Sequence, residues 1–385
     1  MRLIIAFIIA TLAFASAMSA PSYDGYSYEQ FLSEYRPHPH GLSAVAISEE
    51  RRAIFDQNLA TIKKHNAGKH SWFMAVNEHA DMTEQEFLAK FTRKVSEPRR
   101  RLPNFSARAL SEGEGFSPSF RRGRVAPEDV SALPKRADWS KAINKVLNQG
   151  QCGSCWAFAT AHTLMGRANV AFPGSNIIPS TQQITSCTPN PRHCGGTGGC
   201  FGATFQLGAD YIAKAGGVTT EAMYPYKSGS TGSSGECKYD AEAMPAAISI
   251  NSYSELPKNN KTALLAEVAA GGPVAVSVAA GAWFLYGGGI FDGCTKQGDG
   301  VVNHAVTATG YDVDQGYITI VNSWGGSWGE KGYMRLKMYA QEPSLMNENP
   351  HAGARCEDEP STPYEVVGEC GVYSDSAIPV GLSVN

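Results

Sequence analysis

Cysteine placement is the feature of this sequence that most restricts how the chain can fold. The chain has 385 residues and nine cysteines, and every cysteine lies at or after Cys152. An odd number leaves at least one sulfur outside any disulfide, and such a thiol can be reactive. The stretch GQCGSCW, residues 150–156, also sets Cys152 and Cys155 three residues apart. That spacing occurs in redox dithiols, in zinc sites, and in nucleophiles that stand beside a structural cysteine.

The start of the chain predicts its compartment. Arg2 is followed by an apolar run from Leu3 to Phe14 and then by small residues. This order is typical of a signal peptide, here residues 1–17, and the run is shorter than the ~20 apolar residues of a membrane anchor. We therefore expect a protein of the secretory pathway, lysosomal, vacuolar or extracellular, where disulfides form. The net charge of −3 gives no reason to expect binding to nucleic acid or to a membrane surface.

Residues 18–130 have the pattern of a separate helical segment. Phe55, Leu59 and Ile62 recur at the spacing of one face of an amphipathic helix. A T-x-x-E pattern that begins at Thr83 predicts the capping box of a further helix.

Residues 131–385 have the character of a folded domain. Across the chain, 43% of residues are hydrophobic and 18% are charged, which is typical of a globular protein. A helix is expected to begin at or just before Cys155. After about Val218 the sequence becomes strand-like, with runs at 246–250, 273–278, 305–310 and 317–321. We expect an α+β fold with a helical half, a β-rich half and a cleft between them.

Two interpretations of the Cys152 and Cys155 pair lack support elsewhere in the sequence. A zinc site needs a second ligand pair at matched spacing, and the sequence has no other C-x-x-C and no H-x-x-x-H pattern. A thioredoxin-like site needs a βαβ context in a reducing compartment. The third interpretation, a nucleophile, needs a base, a group that orients the base, and donors for an oxyanion. We favour the nucleophile and expect no metal and no cofactor.

Three blocks of sequence resemble the papain and cathepsin family of cysteine peptidases. They are residues 148–158 (NQGQCGSCWAF), 302–306 (VNHAV) and 322–329 (NSWGGSWG). The first contains the Cys-Gly-Ser-Cys-Trp pattern of that family. The resemblance covers roughly residues 45–385. It implies a papain-like fold, in which a helical left domain and a β-barrel-like right domain flank a cleft, preceded by a helical propeptide.

The resemblance also implies catalytic roles. Cys155 would be the nucleophile, His304 its base, and Asn322 the group that orients the imidazole. A helix N-terminus and a protonated imidazole both favour the thiolate. The side-chain N–H of Gln149 and the backbone N–H of Cys155 would form the oxyanion hole. Trp324 would cover the bond between His304 and Asn322.

Disulfide pairing is implied by the same resemblance. The implied pairs are Cys152–Cys200, Cys187–Cys237 and Cys294–Cys370. Cys194 and Cys356 lie outside the family's common pattern. We expect a fourth disulfide between them, because spare thiols in an oxidising compartment tend to pair. Cys155 is then the cysteine left outside any disulfide.

The N-terminal segment resembles an inhibitory propeptide of the cathepsin L-like group. Residues 51–66 match its helical motif, although Ile47 stands where a glutamate is usual. Residues 75–81 (AVNEHAD) resemble a second motif, with Ala75 and His79 in place of glycine and phenylalanine. An ordinary helical domain with a packing stripe is the alternative. We expect His79 to be exposed, but a His79 that charges near pH 6 could also help to loosen the propeptide.

Maturation is expected to remove this segment. Residues 93–130 form a basic linker that proteases could cut, and residues 133–139 resemble the mature N-terminus of the family. Cleavage is therefore expected between Arg124 and Leu133. The two glycosylation sequons are at Asn104 and Asn260, and only Asn260 would remain after maturation.

Specificity in this family resides mainly in the pocket for the residue two before the scissile bond. By resemblance, the substrate site includes Gly202, Ala203, Thr204, Phe205, Ser277, Val302 and Asp375. Asp375 would form the floor of the pocket and would accept a basic residue beside apolar ones. The alternative is that Asp375 is a solvated surface carboxylate.

The sequence thus predicts a cysteine endopeptidase made as a zymogen, with protein and peptide substrates and a monomeric mature form. Its own propeptide would be its intramolecular inhibitor. Exopeptidase relatives can narrow the cleft with a loop of paired histidines, and the insertion at 191–194 has one histidine. A catalytically silent inhibitor and a transpeptidase or ligase are the alternative functions. The segment 341–369 is longer than is usual in the family, and its sequence assigns it no role.

Overall fold

The computed structural model describes residues 19–36, 49–92 and 130–385. The expected signal peptide, Ile47, Asn104 and the basic linker up to residue 129 lie outside these ranges. Within the described ranges, no helix is both long enough and apolar enough to cross a bilayer.

The described residues form helices and strands with the following bounds. The helices are α1 (Tyr28–Tyr35), α2 (Glu49–Asn66), α3 (Glu84–Phe91), α4 (Cys155–Ala171), α5 (Thr181–Cys187), α6 (Phe205–Lys214), α7 (Ser228–Thr231), α8 (Lys261–Gly271) and α9 (Gly293–Gln297). The strands are β1 (Trp72–Met74), β2 (Arg136–Asp138), β3 (Ile248–Ser249), β4 (Ser252–Glu255), β5 (Val274–Val278), β6 (Tyr286–Phe291), β7 (His304–Asp312), β8 (Tyr317–Val321), β9 (Tyr333–Lys337), β10 (Ser344–Asn347), β11 (Tyr364–Val367), β12 (Ser376–Val380) and β13 (Ser383–Val384).

The apolar stripe of α2 forms the core of the N-terminal segment. Phe55, Leu59 and Ile62 are buried, which confirms the helical pattern in the sequence. The ring of Phe55 lies 5.0 Å from that of Phe31 on α1, centroid to centroid.

The start of α3 is the predicted capping box. The Thr83 hydroxyl accepts from the Glu86 N–H, and the Glu86 carboxylate accepts from the Thr83 N–H. Glu86 also accepts two hydrogen bonds of 2.7 Å from the Arg51 guanidinium on α2. These bonds lower the pKa of Glu86 to about 2 and tie α3 to α2.

The N-terminal segment docks on the rest of the chain by extending a sheet. β1 pairs antiparallel with β6, and Trp72 lies opposite Gly289. Trp72 packs on Phe291 with ring centroids 4.6 Å apart. A Cβ on Gly289 would lie 2.5 Å from the Ser71 carbonyl oxygen, and the φ of Gly289 is +96°. Glycine at this position therefore permits the close approach of the two strands.

The helical half is built around α4. Every residue from 155 to 166 is buried, because α4 packs against α5 and α6 on one side and against the sheet on the other. A helix surrounded in this way buries side chains over its whole circumference, here including the polar Thr160, His162 and Thr163.

The β-rich half is built on one mixed sheet. Its strand order is β1-β6-β9-β8-β7-β5-β12-β4, with β2 also paired to β7. The strand runs expected from the sequence correspond to β3, β5, β7 and β8. Helix α8 was not predicted from the sequence; its N-cap Asn260 accepts a 2.8 Å hydrogen bond from the Ala263 N–H.

Four disulfides join the described cysteines. They are Cys152–Cys200, Cys187–Cys237, Cys194–Cys356 and Cys294–Cys370. Cys155, which is buried, lies outside all four.

Residues 341–369, to which the sequence assigned no role, contain a hairpin with a long connection. β10 and β11 pair antiparallel, with Ser344 opposite Val367. We call the connection between them, residues 348–363, the strap.

Candidate active site

Cys155 is the first residue of α4. The preceding residue, Ser154, does not cap the helix with its side chain but lies 2.8 Å from the Tyr226 hydroxyl. The N-terminal end of this 17-residue helix carries a partial positive charge that acts on the Cys155 sulfur. The disulfide between Cys152 and Cys200 fixes the loop that leads into the helix.

His304 and Asn322 form a hydrogen-bonded pair at the ends of two neighbouring strands. The imidazole Nε2 of His304 lies 2.8 Å from Asn322 Oδ1, and both side chains are fully buried. The same Oδ1 accepts a 2.8 Å hydrogen bond from the Ser323 N–H, which identifies this atom as the oxygen. His304 Nε2 therefore carries the hydrogen. Nδ1 is the ring nitrogen that can exchange a proton with a thiol.

Because α4 packs on β7, Cys155 at the start of α4 and His304 at the start of β7 lie at the same end of this packed pair. Thr307 Oγ1 donates to the Ala159 carbonyl at 3.1 Å and lies 3.1 Å from Thr163 Oγ1. Ala159 is about one helical turn after Cys155. Thr307 is a few residues after His304 along the strand. The nucleophile candidate and the base candidate thus stand at the start of two packed elements, at the cleft.

The Gln149 side-chain amide has a fixed orientation. Its Oε1 accepts a 2.6 Å hydrogen bond from the Ser323 hydroxyl. Its Nε2 donates to the carbonyls of Cys152 and Phe91 at 2.9 and 3.0 Å. Because a hydroxyl donor holds the oxygen, the N–H group is the one directed at the Phe91 carbonyl.

Tyr226 supports this arrangement, and sequence reasoning did not identify it. Its hydroxyl donates to the Gln149 carbonyl at 2.9 Å and can then accept from Ser154. Tyr226 therefore links Gln149 to Ser154, the residue that precedes α4. Ser323 was also missed, although it lies inside a recognised block, because nothing in its spacing indicates a contact with Gln149.

Trp324 covers the histidine pair. Its ring is fully buried and lies 4.8 Å from the His304 ring, centroid to centroid. Trp328 packs edge-on against it at 5.0 Å. The indole thus excludes water from the bond between His304 and Asn322, where a low local dielectric strengthens that bond.

The N-terminal segment passes directly through this site. The Phe87 ring packs edge-on against Trp324 with centroids 4.7 Å apart. The Phe91 carbonyl accepts a hydrogen bond from the Gln149 side-chain N–H. A Cβ added to Gly153 would lie 3.0 Å from the Thr92 carbonyl oxygen. The segment therefore runs from Trp324 past Gln149 toward Gly153 and occupies the side-chain N–H of Gln149.

His79 is buried, and the expectation that it is exposed is wrong. Its ring packs 5.1 Å from Phe87 and 4.4 Å from Phe91, and its exposed fraction is 5%. Burial, followed by the nearby positive charges of Arg36 and Lys90, lowers the pKa of His79 to about 3. A neutral imidazole thus stands behind the two phenylalanines that contact the site.

Asp375 lines a small cavity that is partly open to solvent. Phe205 and Ser277 also line this cavity. The carboxylate is half-buried and accepts a 2.6 Å hydrogen bond from the Ser277 hydroxyl and a 3.0 Å hydrogen bond from Gln206 Nε2. Gln206 is a lining residue that the sequence analysis did not name.

The other expected substrate-site residues are Gly202, Ala203, Thr204 and Val302, and all four are buried. Thr204 caps α6 by accepting a 3.3 Å hydrogen bond from the Leu207 N–H. Gly202 has a φ of +94°. Ala203 and Val302 are buried, with exposed fractions of 0% and 1%.

Asn260, the sequon within the described residues, is exposed. Its Oδ1 caps α8, so the Nδ2 atom that a glycan would use is not needed for the cap.

Comparison with known families matches two segments of the chain. Residues 133–353 match the family described as "Papain family cysteine protease". Residues 43–87 match the "Cathepsin propeptide inhibitor domain (I29)".

Curated relatives and solved structures match along most of the chain. A KDEL-tailed cysteine endopeptidase of Arabidopsis thaliana is 29% identical over 342 residues, which are 87% of this chain and 81% of the relative. Cathepsin K of Mus musculus is 35% identical over 298 residues, which are 74% of this chain and 80% of the relative. The structure of digestive procathepsin L 3 of Tenebrio molitor larval midgut aligns with a TM-score of 0.67 and 26% identity, and covers 91% of this chain and 97% of that chain.

Proposed function

The chain belongs to the papain family of cysteine proteases and carries a propeptide inhibitor domain, and we propose that Cys155 is its nucleophile, with His304 as the proton-exchanging partner. The observation that carries this assignment is the bond from His304 Nε2 to Asn322 Oδ1, which leaves Nδ1 to serve the thiol at the start of α4. The helix end and a protonated imidazole both stabilise a thiolate, so the pair is ionised before a substrate arrives.

The reaction begins with attack of the Cys155 sulfur on the carbonyl carbon of the scissile peptide bond. The carbonyl oxygen becomes an oxyanion, which accepts hydrogen bonds from Gln149 Nε2 and from the Cys155 backbone N–H. His304 gives the proton on Nδ1 to the leaving amine, and the C–N bond breaks. The thioester that remains is hydrolysed by a water whose proton passes to His304, which restores the thiolate–imidazolium pair.

The zymogen is inhibited because the propeptide occupies the same donor. The Phe91 carbonyl accepts the Gln149 N–H, and Phe87 packs on Trp324. We assign residues 18–130 to the propeptide and residues 131–385 to the peptidase domain. Cleavage between Arg124 and Leu133 would free the site.

The four disulfides indicate an oxidising compartment. With residues 1–17 as a signal peptide, the protein would act in a lysosome, in a vacuole or outside the cell. Its substrates would be proteins and peptides, and the mature enzyme would be a monomer.

Titration with an epoxysuccinyl thiol inhibitor after acid activation tests the assignment. We expect one equivalent to label Cys155 and to abolish peptide hydrolysis, and we expect Cys155→Ala to bind none. A mature protein that takes up inhibitor at another residue, or that hydrolyses peptides as Cys155→Ala, contradicts the proposal. Product analysis with added amine acceptors separates hydrolysis from transpeptidation.

A further inference from the structure

The strap connects the two walls of the cleft. Its supporting hairpin rests on the β-rich half, where a Cβ on Gly300 would lie 2.5 Å from the Met346 carbonyl oxygen. The connection then reaches the edge of the site. A Cβ on Gly353 would lie 2.8 Å from the Val302 carbonyl oxygen, and Val302 is close to His304 in the chain. The strap therefore covers the backbone of the wall that carries the histidine.

The other side of the strap is attached to the helical half. The Gly195 N–H donates to the Arg355 carbonyl at 3.0 Å. A Cβ on Gly195 would lie 2.8 Å from both the Ala203 and the Gly353 carbonyl oxygens. Backbone from the strap and from the loop before Cys200 thus covers Ala203, which explains why Ala203 has no exposed surface.

A covalent clamp holds this contact closed. The disulfide between Cys194 and Cys356 joins the loop to the strap. Next to it, the Glu357 N–H donates to the Arg192 carbonyl at 3.0 Å, and the Arg192 guanidinium makes two 3.0 Å hydrogen bonds to Asp358. The ion pair is exposed and adds little on its own, so the disulfide and the main-chain bonds hold the strap.

The position of the strap identifies the end of the cleft that it spans. The leaving amine of a substrate must reach His304 to receive its proton. Trp324 packs against His304, so the leaving group lies on the Trp324 side of the cleft. The acyl part therefore extends away from Trp324. The propeptide marks this direction, since it passes from Trp324 to Gln149 and then to Gly153. The Gly153 N–H bonds to the Cys200 carbonyl, and the chain beyond Cys200 leads to the strap.

We propose that the strap closes the acyl-side end of the cleft and limits how many residues before the scissile bond the enzyme reads. Gly153 bonds to Cys200, and Ala203 beside the strap is three residues further along the chain, at most ~11 Å away. An extended substrate that rises ~3.3 Å per residue therefore meets the strap after roughly two or three acyl-side residues. Residues further upstream leave the cleft over the strap and make no main-chain bonds inside it. The inference rests on the proposed function, since it concerns the substrate of the same site.

The test compares peptides of increasing length. Fluorogenic substrates with an invariant leaving group and two, three, four or five acyl-side residues are hydrolysed by the mature enzyme and by two variants. The first variant is Cys194→Ser with Cys356→Ser, which opens the clamp. The second replaces residues 351–361 with Gly-Gly-Ser and carries Cys194→Ser, so that β10 and β11 are kept. A second substrate series, extended only on the leaving-group side, is the matched control.

For the native enzyme we expect kcat/KM to level off by the third acyl-side residue. In the variants, the fourth and fifth residues should raise kcat/KM roughly fivefold, the effect of about one recovered hydrogen bond. The leaving-side series should change equally in all three proteins. Equal gains from long acyl peptides in native and variant enzymes overturn the proposal. Titration of Cys155 with the epoxysuccinyl inhibitor keeps this outcome distinct, because loss of labelling would instead contradict the catalytic assignment.

Discussion

The side-chain Nε2 of Gln149 donates to the backbone carbonyl of Phe91 across 3.0 Å. In the zymogen, the proposed oxyanion donor Gln149 therefore binds a propeptide carbonyl oxygen in place of the carbonyl oxygen of a scissile bond. Under the proposed assignment, the same donor serves inhibition before maturation and transition-state stabilisation afterwards, so residues that position Gln149 should affect both.

Ser323→Ala is expected to reduce kcat of the mature enzyme by roughly 10- to 100-fold, less than the 10²–10³ that follows loss of a donor. The hydroxyl that fixes Gln149 Oε1 is absent, so the amide can rotate away from the oxyanion. Steady-state kinetics with a dipeptide substrate measure the effect. Ser327→Ala is the control, since the Ser327 hydroxyl contacts Glu78 of the propeptide instead. An unchanged kcat in Ser323→Ala would show that the hydroxyl does not position Gln149.

Tyr226→Phe is expected to lower the free energy of unfolding of the mature enzyme by about 1–3 kcal/mol, because a buried carbonyl and Ser154 lose a partner. The alkylation rate of Cys155 by a small reagent should change as well, since Tyr226 holds the loop on both sides of the site. Denaturant titration and alkylation kinetics measure the two effects. Tyr224→Phe, which loses two exposed bonds, to the Glu236 carbonyl at 3.2 Å and from the Lys238 N–H at 3.1 Å, should change neither. Equal behaviour of the two variants would contradict a positioning role for Tyr226.

Propeptide docking is expected to weaken as the pH falls, through His79. Docked His79 stays neutral until its pKa of about 3, whereas a released histidine takes up a proton near pH 6.5. The contribution of neutral His79 to the free energy of docking is therefore complete above pH 6.5 and is lost as the pH falls toward 3. At pH 4.5, about 2–3 kcal/mol of docking free energy has been lost. Glu78 and Asp81 act in the opposite direction, because burial raises the pKa of each carboxyl.

His79→Phe removes the favourable acid term, so the zymogen should activate more slowly at pH 4–5 and at the wild-type rate near pH 7. Initial rates of inhibitor-titratable site formation between pH 4 and pH 7 measure this. His70→Gln, at an exposed position in the same segment, should follow the wild-type profile. A His79→Phe profile that overlays the wild type would eliminate His79 as a trigger.

Asp375→Ser is expected to lower the ratio of kcat/KM for Arg-Arg over Phe-Arg substrates by roughly five- to tenfold, because a carboxylate beside the cavity no longer pairs with the basic side chain. Glu255→Gln is the matched control, since Glu255 accepts from the same Gln206 amide but is exposed. A constant ratio in Asp375→Ser would mean that the carboxylate only fixes Ser277 and Gln206.

The sequence led to the groups with rare and specific chemistry. Cys155, His304, Asn322 and Gln149 belong to patterned blocks, because few residue types can supply a thiolate, an imidazole and an oriented amide. The capping box at Thr83 was equally legible, because its hydrogen bonds are local.

The missed features depend on contacts between distant parts of the chain. Ser323 and Tyr226 are common residue types whose roles exist only through their distance to Gln149. His79 follows the polar residues Asn77 and Glu78 in sequence, but α3 folds back and buries it beneath Phe87 and Phe91. The strap gave no pattern apart from Cys356, because its remaining contacts with the cleft are made by backbone atoms at Gly195 and Gly353.

All four disulfides lie within residues 152–370, and none reaches the N-terminal segment. Once the connecting chain is cut, the inhibitor is held by non-covalent contacts alone. Before the cut, the connecting chain holds the inhibitor at the site with an effective concentration of roughly millimolar. After the cut, binding of the inhibitor depends on its actual concentration. Dilution into a larger volume, or digestion of the released fragment, therefore completes the switch that cleavage begins. The amount of enzyme in its compartment would set how sharply activity appears.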